Sequence, residues 1–261
     1  MILDELVAVT QKRLERLKAL NSGEELKKKA FEFEKENIFS FAKSLRQKEL
    51  SFICEVKKAS PSKGVISEDF PYMDIARDYE EAGAAAVSVL TEEQYFLGSD
   101  KIFTDIRKNI TLPMIRKDFT ISEYQIYESK LMGADAILLI VSILDFEQIK
   151  SFLKLCKALG LDALVETHDE REINTALEAG ADIIGVNNRN LKNFNVDFEN
   201  ILRLRELIPA ESICVAESGV RGIEDIRVLR EAKVDAVLIG ELLMRSENKR
   251  ELLKSFRGID E

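Results

Sequence analysis

The hydrophobic pattern of the chain alternates between short apolar runs and longer amphipathic segments. Each short run is nearly continuous in Val, Ile, Leu and Ala, which is typical of parallel strands that are covered on both faces. The segments between them have room for one helix and two loops, as a parallel connection requires. We therefore predict eight strands, at residues 52–57, 85–90, 112–117, 135–141, 162–167, 182–187, 212–217 and 235–240.

Several amphipathic segments carry capping residues at both ends. Asp145 precedes one of them and Gly160 follows it. An Asp or Ser before the first turn accepts hydrogen bonds from free N–H groups, and a Gly after the last turn adopts the left-handed conformation. These signals predict helices at residues 72–82, 123–132, 146–159 and 170–179.

A run of eight strand–helix units predicts an α/β fold, a (β/α)8 TIM barrel that forms one domain over residues 1–261. An open, doubly wound sheet is the alternative architecture. It is disfavoured because no GxGxxG motif follows the first strand and no dinucleotide-type acidic partner is present.

The first 48 residues precede the barrel and are predicted to form an N-terminal helical extension. Asn37 is expected to cap a short helix over residues 38–45. The extension is expected either to cover the mouth of the barrel or to close its bottom. A coiled-coil partner helix is a third alternative, but the stripe is short for one. The apolar stripe of the first helix consists of Leu3, Leu6, Val7, Thr10, Leu14 and Leu17.

Composition and charge exclude several other classes of protein. Of the 261 residues 46% are hydrophobic, so the chain can bury a full core. A formal net charge of −9 argues against nucleic acid as the main partner. The apolar runs are far shorter than a membrane span, the N-terminus lacks the pattern of a signal peptide, and the three cysteines are scattered. We expect a cytoplasmic monomer with no nucleic-acid or membrane partner.

Polar and ionisable residues gather where the predicted strands end. Glu55 and Lys57 are two positions apart, so they point to the same face of the first strand. Opposite charges on an apolar strand are costly to bury unless they pair or meet a ligand. The C-terminal ends of barrel strands form one rim, where barrel enzymes hold their active sites. The same rim would receive Thr91, Glu92, Lys117, Asp118, Glu166, Asn187, Arg189, Glu217, Ser218 and Gly240.

Each of these residues also has an ordinary structural explanation. Glu55 with Lys57 can be a structural ion pair, Lys117 part of a surface turn, and Glu166 a solvated loop residue. Their convergence on one rim favours catalysis over these interpretations. The single histidine, His168, begins a loop and is expected to be a bystander. A single histidine also argues against a His-rich metal site, so acid–base chemistry falls to Lys and Glu.

The positions of two glycines indicate a phosphate site. Gly219 follows the seventh predicted strand and Gly240 ends the eighth, where residues 240–244 are predicted to start a short helix. Barrels often bind phosphate with backbone N–H groups from these two loops. Arg189 and the turn at residues 60–64 supply further charge and hydroxyl groups. The pattern predicts a phosphorylated small-molecule substrate.

Six segments, spread over nearly the whole chain, resemble the indole-3-glycerol-phosphate synthase family of tryptophan biosynthesis. The first and last segments, in this order and spacing, are highly specific. The segments are Glu55-Val56-Lys57-Lys58-Ala59-Ser60-Pro61-Ser62, residues 88–92 with Tyr95-Phe96-Leu97-Gly98, Lys117-Asp118-Phe119, Leu164-Val165-Glu166, Gly185-Val186-Asn187-Asn188-Arg189-Asn190-Leu191 and Val215-Ala216-Glu217-Ser218-Gly219.

The resemblance implies a lyase that closes the indole ring of 1-(2-carboxyphenylamino)-1-deoxyribulose 5-phosphate and releases CO2 and water, with no cofactor or metal. Lys117 would be the general acid that protonates the substrate carbonyl oxygen. Lys57 would hold the anthranilate carboxylate, and Glu166 would serve the dehydration. Which of Glu166 and Lys57 acts as the base stays open.

The resemblance also implies roles for residues around these groups. Glu55 and Asn187 would orient the ribulose hydroxyls and the lysines, and Glu217 and Ser218 would contact the substrate. Phosphate would sit on Ser60, Arg189, Gly219 and Gly240. An apolar pocket for the anthranilate ring is expected from Phe96, Phe119, Leu138 and Leu191. In one departure from the family pattern, Glu241 stands where many relatives have Ser, so phosphate is expected to bind there through the backbone rather than through a side chain.

Two other functions fit the same residues. One is an aldolase that forms a Schiff base through Lys117 or Lys57. The other is a phosphate-ligand sensor that has the fold but does not turn over substrate. The matched acids and bases argue against a sensor, because binding alone does not need them.

Overall fold

The computed structural model describes residues 2–34, 38–190 and 194–258. Within them, eight parallel strands close a barrel in which each strand pairs with the next along the chain and the last pairs with the first. This confirms the predicted (β/α)8 barrel and excludes the open sheet. The strands are β1 (Ser51–Val56), β2 (Ala86–Leu90), β3 (Met114–Lys117), β4 (Ala136–Ile140), β5 (Asp162–Thr167), β6 (Ile183–Asn187), β7 (Ile213–Glu217) and β8 (Ala236–Ile239).

The predicted strand boundaries differ from the observed ones at several ends. Strand β3 begins at Met114 rather than at Leu112, because Pro113 has no amide hydrogen to give to the ladder. Lys57 and Gly240 lie just beyond β1 and β8, in the loops at the mouth of the barrel. The predicted site residues therefore lie at the last positions of the strands, as Glu55 does, or just beyond them.

Helices precede the barrel and connect its strands. The four predicted helices all form, and two of them have the predicted bounds. No described helix is both long and apolar enough to cross a membrane. The helices are α1 (Ile2–Leu20), α2 (Gly23–Glu32), α3 (Ser40–Leu45), α4 (Tyr72–Glu81), α5 (Asp100–Arg107), α6 (Glu123–Leu131), α7 (Phe146–Leu159), α8 (Glu170–Ala179), α9 (Glu199–Leu204), α10 (Ile223–Glu231), α11 (Glu241–Arg245) and α12 (Lys249–Arg257), with 3₁₀ turns at Val141–Ile143 and Arg205–Leu207.

The capping signals of α7 act as expected. Asp145 accepts a hydrogen bond from the backbone N–H of Gln148 at 2.8 Å, and the Gln148 side chain accepts one from the Asp145 N–H at 2.9 Å. At the other end Gly160 has φ 69°, the left-handed conformation that a side chain would strain. This capping box fixes where the helix begins, and the glycine lets it end.

Alternate residues of each strand point into the barrel. Four charged residues each lie two positions after an inward apolar residue, at the C-terminal end of their strand, and are little exposed: Glu55, Lys117, Glu166 and Glu217. The same alternation that fills the core therefore aims these four side chains at the mouth. The inward residues of the lower layers are apolar and buried: Ile53, Ala86, Ile115, Ala136, Leu138, Leu164, Ile183, Ile213, Val215, Ala236 and Leu238.

Helix α3 closes the bottom of the barrel. Phe41 and Leu45 are fully buried among the inward residues of the strands. The N–H of Ala42 donates to Asp162 Oδ2 at 2.8 Å, at the start of β5. The helix begins at Ser40 rather than at the predicted residue 38, since Phe39 has φ 54° and cannot continue a right-handed helix. Asn37, the expected cap, lies outside the described residues.

Helix α1 covers the mouth of the barrel at the opposite end. Leu6, Thr10 and Leu14 of its predicted stripe are buried against the barrel. Leu6, with Ile2 and Leu3, reaches the cavity that opens there. The extension therefore does both things that the sequence left as alternatives, and its stripe packs within the chain rather than in a coiled coil.

We predict that Phe41→Ala lowers the free energy of unfolding by about 3–5 kcal/mol, the usual cost of emptying a buried phenylalanine site. Urea unfolding followed by circular dichroism measures the change. Phe31→Ala is the matched control, because the Phe31 side chain is 51% exposed, although its ring contacts that of Tyr127. Its cost should stay near or below about 1 kcal/mol. Equal losses in the two variants would contradict the role of α3 as a plug.

Candidate active site

A cavity of about 710 Å³ opens at the C-terminal mouth of the barrel. This volume is in the range typical of small-molecule sites. The residues predicted from the sequence to be catalytic, or to bind the polar groups of the substrate, all line it. These residues, with the two aromatic ones, are Glu55, Lys57, Ser60, Phe96, Lys117, Phe119, Glu166, Asn187, Arg189, Glu217, Ser218, Gly219 and Gly240.

Lys117 stands at the centre of the polar floor. Its Nζ lies 2.9 Å from Glu166 Oε2 and 2.8 Å from Glu217 Oε2. The three residues come from β3, β5 and β7, alternate strands whose inward side chains share one layer of the barrel. Because both carboxylates are almost completely buried, the ammonium holds them together in a site that excludes most water.

The three groups shift one another's pKa in different directions. Burial would lower the pKa of Lys117, but the charges of Glu166 and Glu217 outweigh it and raise this pKa. Burial raises the pKa of Glu217 to about 7, helped by the charge of Glu166. Burial acts the same way on Glu166, yet Lys117 and the other donors around it lower its pKa to about 2. The trio thus pairs a charged ammonium and an ionised Glu166 with a Glu217 that takes up a proton near neutral pH.

A second ion pair lies across the floor. Lys57 Nζ is 2.5 Å from Glu55 Oε1, and the Ser88 hydroxyl donates to Glu55 Oε2 at 3.3 Å. Asn187 donates from Nδ2 to Glu166 Oε1 at 3.1 Å, and its own Oδ1 accepts from the Arg189 N–H. Both carboxylates are therefore held by a cation and by a neutral donor, which fixes their orientation.

Two glycines make room for these carboxylates. A Cβ at Gly185 would lie 2.1 Å from Glu217 Oε1, and a Cβ at Gly240 would lie 2.4 Å from Glu55 Oε1. The sequence pattern indicates Gly240 as a phosphate ligand only, and Gly185 is not among the predicted site residues. The sequence does show Gly185 as a glycine inside an otherwise apolar strand, and such a glycine often marks the close approach of another group. Here that group is the glutamate of the next strand.

The loop after β7 has a backbone that can receive an anion. Ser218 has φ 64° and Gly219 φ 93°, so two successive residues are left-handed. Such turns aim neighbouring N–H groups at one point. Asn188 Nδ2 donates to the Ser218 carbonyl at 3.0 Å and holds the strained turn in place. Arg189 lies nearby, with Nη1 3.5 Å from Ser62 Oγ.

The predicted short helix α11 follows Gly240 directly. Glu241, the departure from the family pattern, accepts a hydrogen bond from Arg245 Nε at 3.1 Å and lies 3.9 Å from Lys63 Nζ. These cations reduce the repulsion that its carboxylate would exert on an anion bound in the same cavity. The charge is thus balanced locally rather than left facing the site.

The opposite wall of the cavity is apolar. Phe96 and Phe119 meet with ring centroids 6.2 Å apart and planes tilted by 44°. Leu138 lies on the same surface, whereas Leu191 is outside the described residues. A local sequence pattern does not tell which apolar side chains of the strands or of the extension meet a ligand. The prediction therefore missed apolar lining residues that include Ile2, Leu3, Leu6, Leu90, Ile140 and Leu238.

The loop that carries Phe96 is organised by one buried carboxylate. Glu92 accepts hydrogen bonds from the backbone N–H groups of Gln94, Tyr95 and Phe96, at 2.7 to 2.9 Å. The Tyr95 hydroxyl also donates to Glu5 of α1 at 3.1 Å. The aromatic wall is therefore fixed to strand β2 and to the N-terminal helix together.

A buried charge network supports the residues that flank the central lysine. Arg116 is 2% exposed, and its Nη2 lies 2.9 Å from Asp100 Oδ1 and 2.7 Å from Glu128 Oε2. Arg13, from α1, reaches Asp118 Oδ2 at 2.9 Å. Removing one member of such a buried network leaves an unpaired charge, which costs about 3–5 kcal/mol. The network fixes both β3 and α1 relative to the site.

Comparisons with known proteins agree with this site and fold. The family model described as indole-3-glycerol phosphate synthase matches residues 3–256. The indole-3-glycerol phosphate synthase of Ruminiclostridium cellulolyticum is 53% identical over 258 residues, which are 99% of each chain. That of Endomicrobium trichonymphae is 51% identical over 257 residues, 98% of this chain and 100% of the relative.

Solved structures show the same fold at much lower identity. A 3-hexulose-6-phosphate synthase has a TM-score of 0.64 at 14% identity, covering 80% of this chain and 99% of the other. The thiamine phosphate pyrophosphorylase of Pyrococcus furiosus has a TM-score of 0.61 at 17% identity, covering 82% and 96%. These two likenesses concern the barrel alone, whereas the family match and the full-length relatives concern the whole chain. The chain belongs to the indole-3-glycerol phosphate synthase family.

Proposed function

We propose that the chain carries out its family's reaction with Lys117, Glu166 and Glu217 as its acid–base centre. The chain is a carbon–carbon lyase of tryptophan biosynthesis, which converts 1-(2-carboxyphenylamino)-1-deoxyribulose 5-phosphate into indole-3-glycerol phosphate, CO2 and water. The proposed roles rest on one observation. At the floor of the cavity, Lys117 Nζ lies 2.9 Å from the carboxylate of Glu166 and 2.8 Å from that of Glu217.

The two walls of the cavity suit the two ends of this substrate. The anthranilate ring packs on Phe96 and Phe119, and its carboxylate is held by Lys57. The phosphate binds to the turn at Ser218 and Gly219, to Ser60 and Gly240 beside it, and to Arg189. Holding both ends folds the flexible chain so that the ring carbon faces the carbonyl carbon, which is catalysis by proximity.

Lys117 acts as general acid in the ring closure. As the ring carbon attacks, negative charge grows on the carbonyl oxygen, and a buried ammonium stabilises this charge and gives up its proton. Departure of CO2 then restores the aromatic ring. Glu55 and Asn187 keep the lysines and the substrate hydroxyls in place through the hydrogen bonds described above.

The dehydration that follows needs both a base and an acid. We assign the removal of the C1 proton to Glu166, which is ionised, and the second protonation of the departing oxygen to the acids beside it, Lys117 and Glu217. The separation of the pKa values of Glu166 and Glu217 supports this division of work. Lys57, the alternative base, is committed to Glu55 at 2.5 Å.

We also propose that residues 1–261 act as one domain, as a monomer and in the cytoplasm. Helices α1 and α3 of the extension, residues 1–48, contribute to both ends of the barrel. The cavity described above is built from one chain. The three cysteines are buried and not in disulfides, which suits a reducing compartment.

Incubation of the purified chain with the carboxyphenylamino ribulose phosphate tests the function. We expect indole fluorescence to appear together with CO2. Lys117→Ala should lower kcat by about 10²- to 10⁴-fold, while its circular dichroism and urea midpoint show a folded barrel. Lys154→Ala, at an exposed position on α7, is the matched control and should keep full activity. Near-normal turnover by Lys117→Ala would remove it as the acid.

Borohydride reduction in the presence of substrate separates this function from an aldolase. A Schiff base requires a neutral amine, and the raised pKa of Lys117 disfavours that form. Mass spectrometry should therefore find no covalent adduct. An adduct on Lys117 or Lys57 would support the aldolase instead, and tight binding of the substrate with no product would support a sensor.

We predict that Arg189→Ala raises KM roughly ten- to hundredfold and changes kcat much less, because a lost charge-assisted contact to phosphate weakens ground state and transition state alike. Arg189→Lys keeps the charge, so its KM should lie between that of Arg189→Ala and that of the wild type. Arg203→Ala is the control, since Arg203 is 58% exposed and pairs with Asp197 outside the cavity. A pure loss of kcat in Arg189→Ala would argue against a phosphate role.

We predict that Gly185→Ala lowers kcat about 10²-fold, the typical effect of moving a catalytic group by about 1 Å. The new methyl group would overlap with Glu217 Oε1, so Glu217 must move away from Lys117. Steady-state kinetics and the urea midpoint together distinguish this displacement from unfolding. Gly23→Ala is the control, since a Cβ there meets nothing within 4 Å. Full activity in Gly185→Ala would mean that the position of Glu217 is not critical.

A further inference from the structure

A line of titratable groups leads from the cavity floor to the outside of the barrel. Lys117 Nζ lies 2.9 Å from Glu166 Oε2, and Glu166 Oε1 lies 3.6 Å from His168 Nε2. His168 Nδ1 in turn lies 3.0 Å from Glu172 Oε2, on α8. Exposure of the side chain rises along the line, from 3% at Glu166 to 19% at Glu172. His168 does not line the cavity, so any effect it has on substrate passes through Glu166.

The imidazole has one unsatisfied nitrogen that requires an explanation. Among the described residues, the buried Nε2 of His168 has no hydrogen-bond partner. A buried polar atom without a partner costs about 1–3 kcal/mol. It faces the carboxylate of Glu166 at a distance that is too long for a hydrogen bond, and catalytic hydrogen bonds often shorten only when substrate is bound.

The rest of the imidazole is held firmly. Glu172 Oε2 accepts from the His168 backbone N–H at 2.8 Å as well as contacting Nδ1. From α9, Asn200 Nδ2 donates to the His168 carbonyl at 3.1 Å. The loop is thus fixed on two sides, and Nε2 is aimed at Glu166 by structure rather than by chance.

The charged groups that face His168 are all carboxylates: Glu166 on β5, Glu172 on α8 and, further away, Glu217 on β7. Burial lowers the pKa of His168, but the hydrogen bond to Glu172 and the charges of Glu166, Glu172 and Glu217 outweigh it and raise this pKa above its ordinary value. The imidazolium form therefore persists to higher pH than in a free histidine, with a proton on each ring nitrogen.

The proposed reaction takes up one proton from solvent in each turnover. The former carbonyl oxygen gains two protons and leaves as water, whereas the substrate loses one proton, from C1. The bond to the carboxylate breaks with its electron pair staying in the ring, so CO2 carries no proton away. One proton must therefore enter a site whose acid, Lys117, is surrounded by buried groups.

We propose that His168, held in place by Glu172, delivers this proton to Glu166, and through it to Lys117. The inference rests on the proposed function and makes His168 a positioning and proton-transfer residue that acts through Glu166. His168 Nε2–H gives its proton to the Glu166 carboxylate, and the pair of electrons of that N–H bond stays on the ring. The Nδ1 proton stays on the ring beside Glu172, and Nε2 takes up its next proton from water at the end of the turnover, since the His168 side chain is 18% exposed. Glu166 then passes its proton to the neutral Lys117 amine.

The single histidine of the chain makes the first test direct. In protein labelled at histidine 13Cε1, one NMR signal reports the titration of His168. We expect a pKa above the ordinary value of about 6.5. Glu172→Gln should lower this pKa, because it removes a charge and keeps an oxygen that can accept. Glu178→Gln, an exposed acid on the same helix, should leave the pKa unchanged.

The second test compares this titration with the pH profile of turnover. If the imidazolium delivers the proton, the rate falls as pH rises through its pKa. Glu172→Gln should therefore move the alkaline limb of kcat to lower pH in step with the NMR titration, while the rate at the acid plateau is kept. A purely structural role would lower the plateau and leave the limb where it is. An unmoved limb together with a lowered imidazole pKa would overturn the proposal.

His168→Gln provides the third test. Glutamine keeps an N–H donor of similar reach toward Glu166 but has no proton to relay. We expect its kcat to fall about 10²-fold with little change in KM. A wild-type rate in a folded His168→Gln protein would overturn the proposal. If this variant does not fold, the Glu172→Gln comparison decides alone. Failure of the wild type to convert substrate would instead reject the proposed function, and the NMR coupling between Glu172 and His168 would still be measured.

Discussion

One buried ammonium shared by two buried carboxylates is the interaction on which the site depends. Taking three charges out of water is costly, and the cost is offset only if the geometry is close and the remaining lone pairs are satisfied. In this chain Lys117 contacts Glu166 and Glu217 at hydrogen-bonding distance, and Asn187 satisfies the second oxygen of Glu166. The barrel makes this arrangement possible, since eight strands fix the positions before the charges meet.

The asymmetry between the two carboxylates gives the trio its chemistry. With one cation between two acids, both acids cannot be stabilised as anions to the same extent. Besides Lys117, the charge of His168 and the amide of Asn187 keep Glu166 ionised, whereas Glu217, which has an unpartnered oxygen among the described residues, keeps the proton. A base and an acid thus arise from two identical side chains, because the charges and hydrogen bonds around them differ.

The sequence predicted the fold and the site to different depths, for physical reasons. Strand periodicity and capping residues such as Asp145 are local, so the eight strands and four helices were correctly predicted. Polar strand ends were readable because parallel strands bring their C-terminal ends to one rim. Distances between strands are not local. Hence the sequence did not show that Glu217 packs against Gly185 or that His168 lies near Glu166. The apolar stripe of α1 likewise did not show which end of the barrel the helix covers.

The N-terminal extension connects stability to catalysis in a way that follows from its two contacts. Helix α3 fills the bottom of the barrel with Phe41, and helix α1 crosses the mouth, where Arg13 pairs with Asp118, the neighbour of the central lysine. Arg116 on the other side of that lysine enters the same network. Any displacement of α1 therefore removes one cation, Arg13, from the buried network that holds Arg116 and Asp118, the two neighbours of Lys117. An unpaired buried charge is strongly destabilising. The position of α1, which covers the substrate cavity, and the position of Lys117 inside the cavity therefore depend on each other.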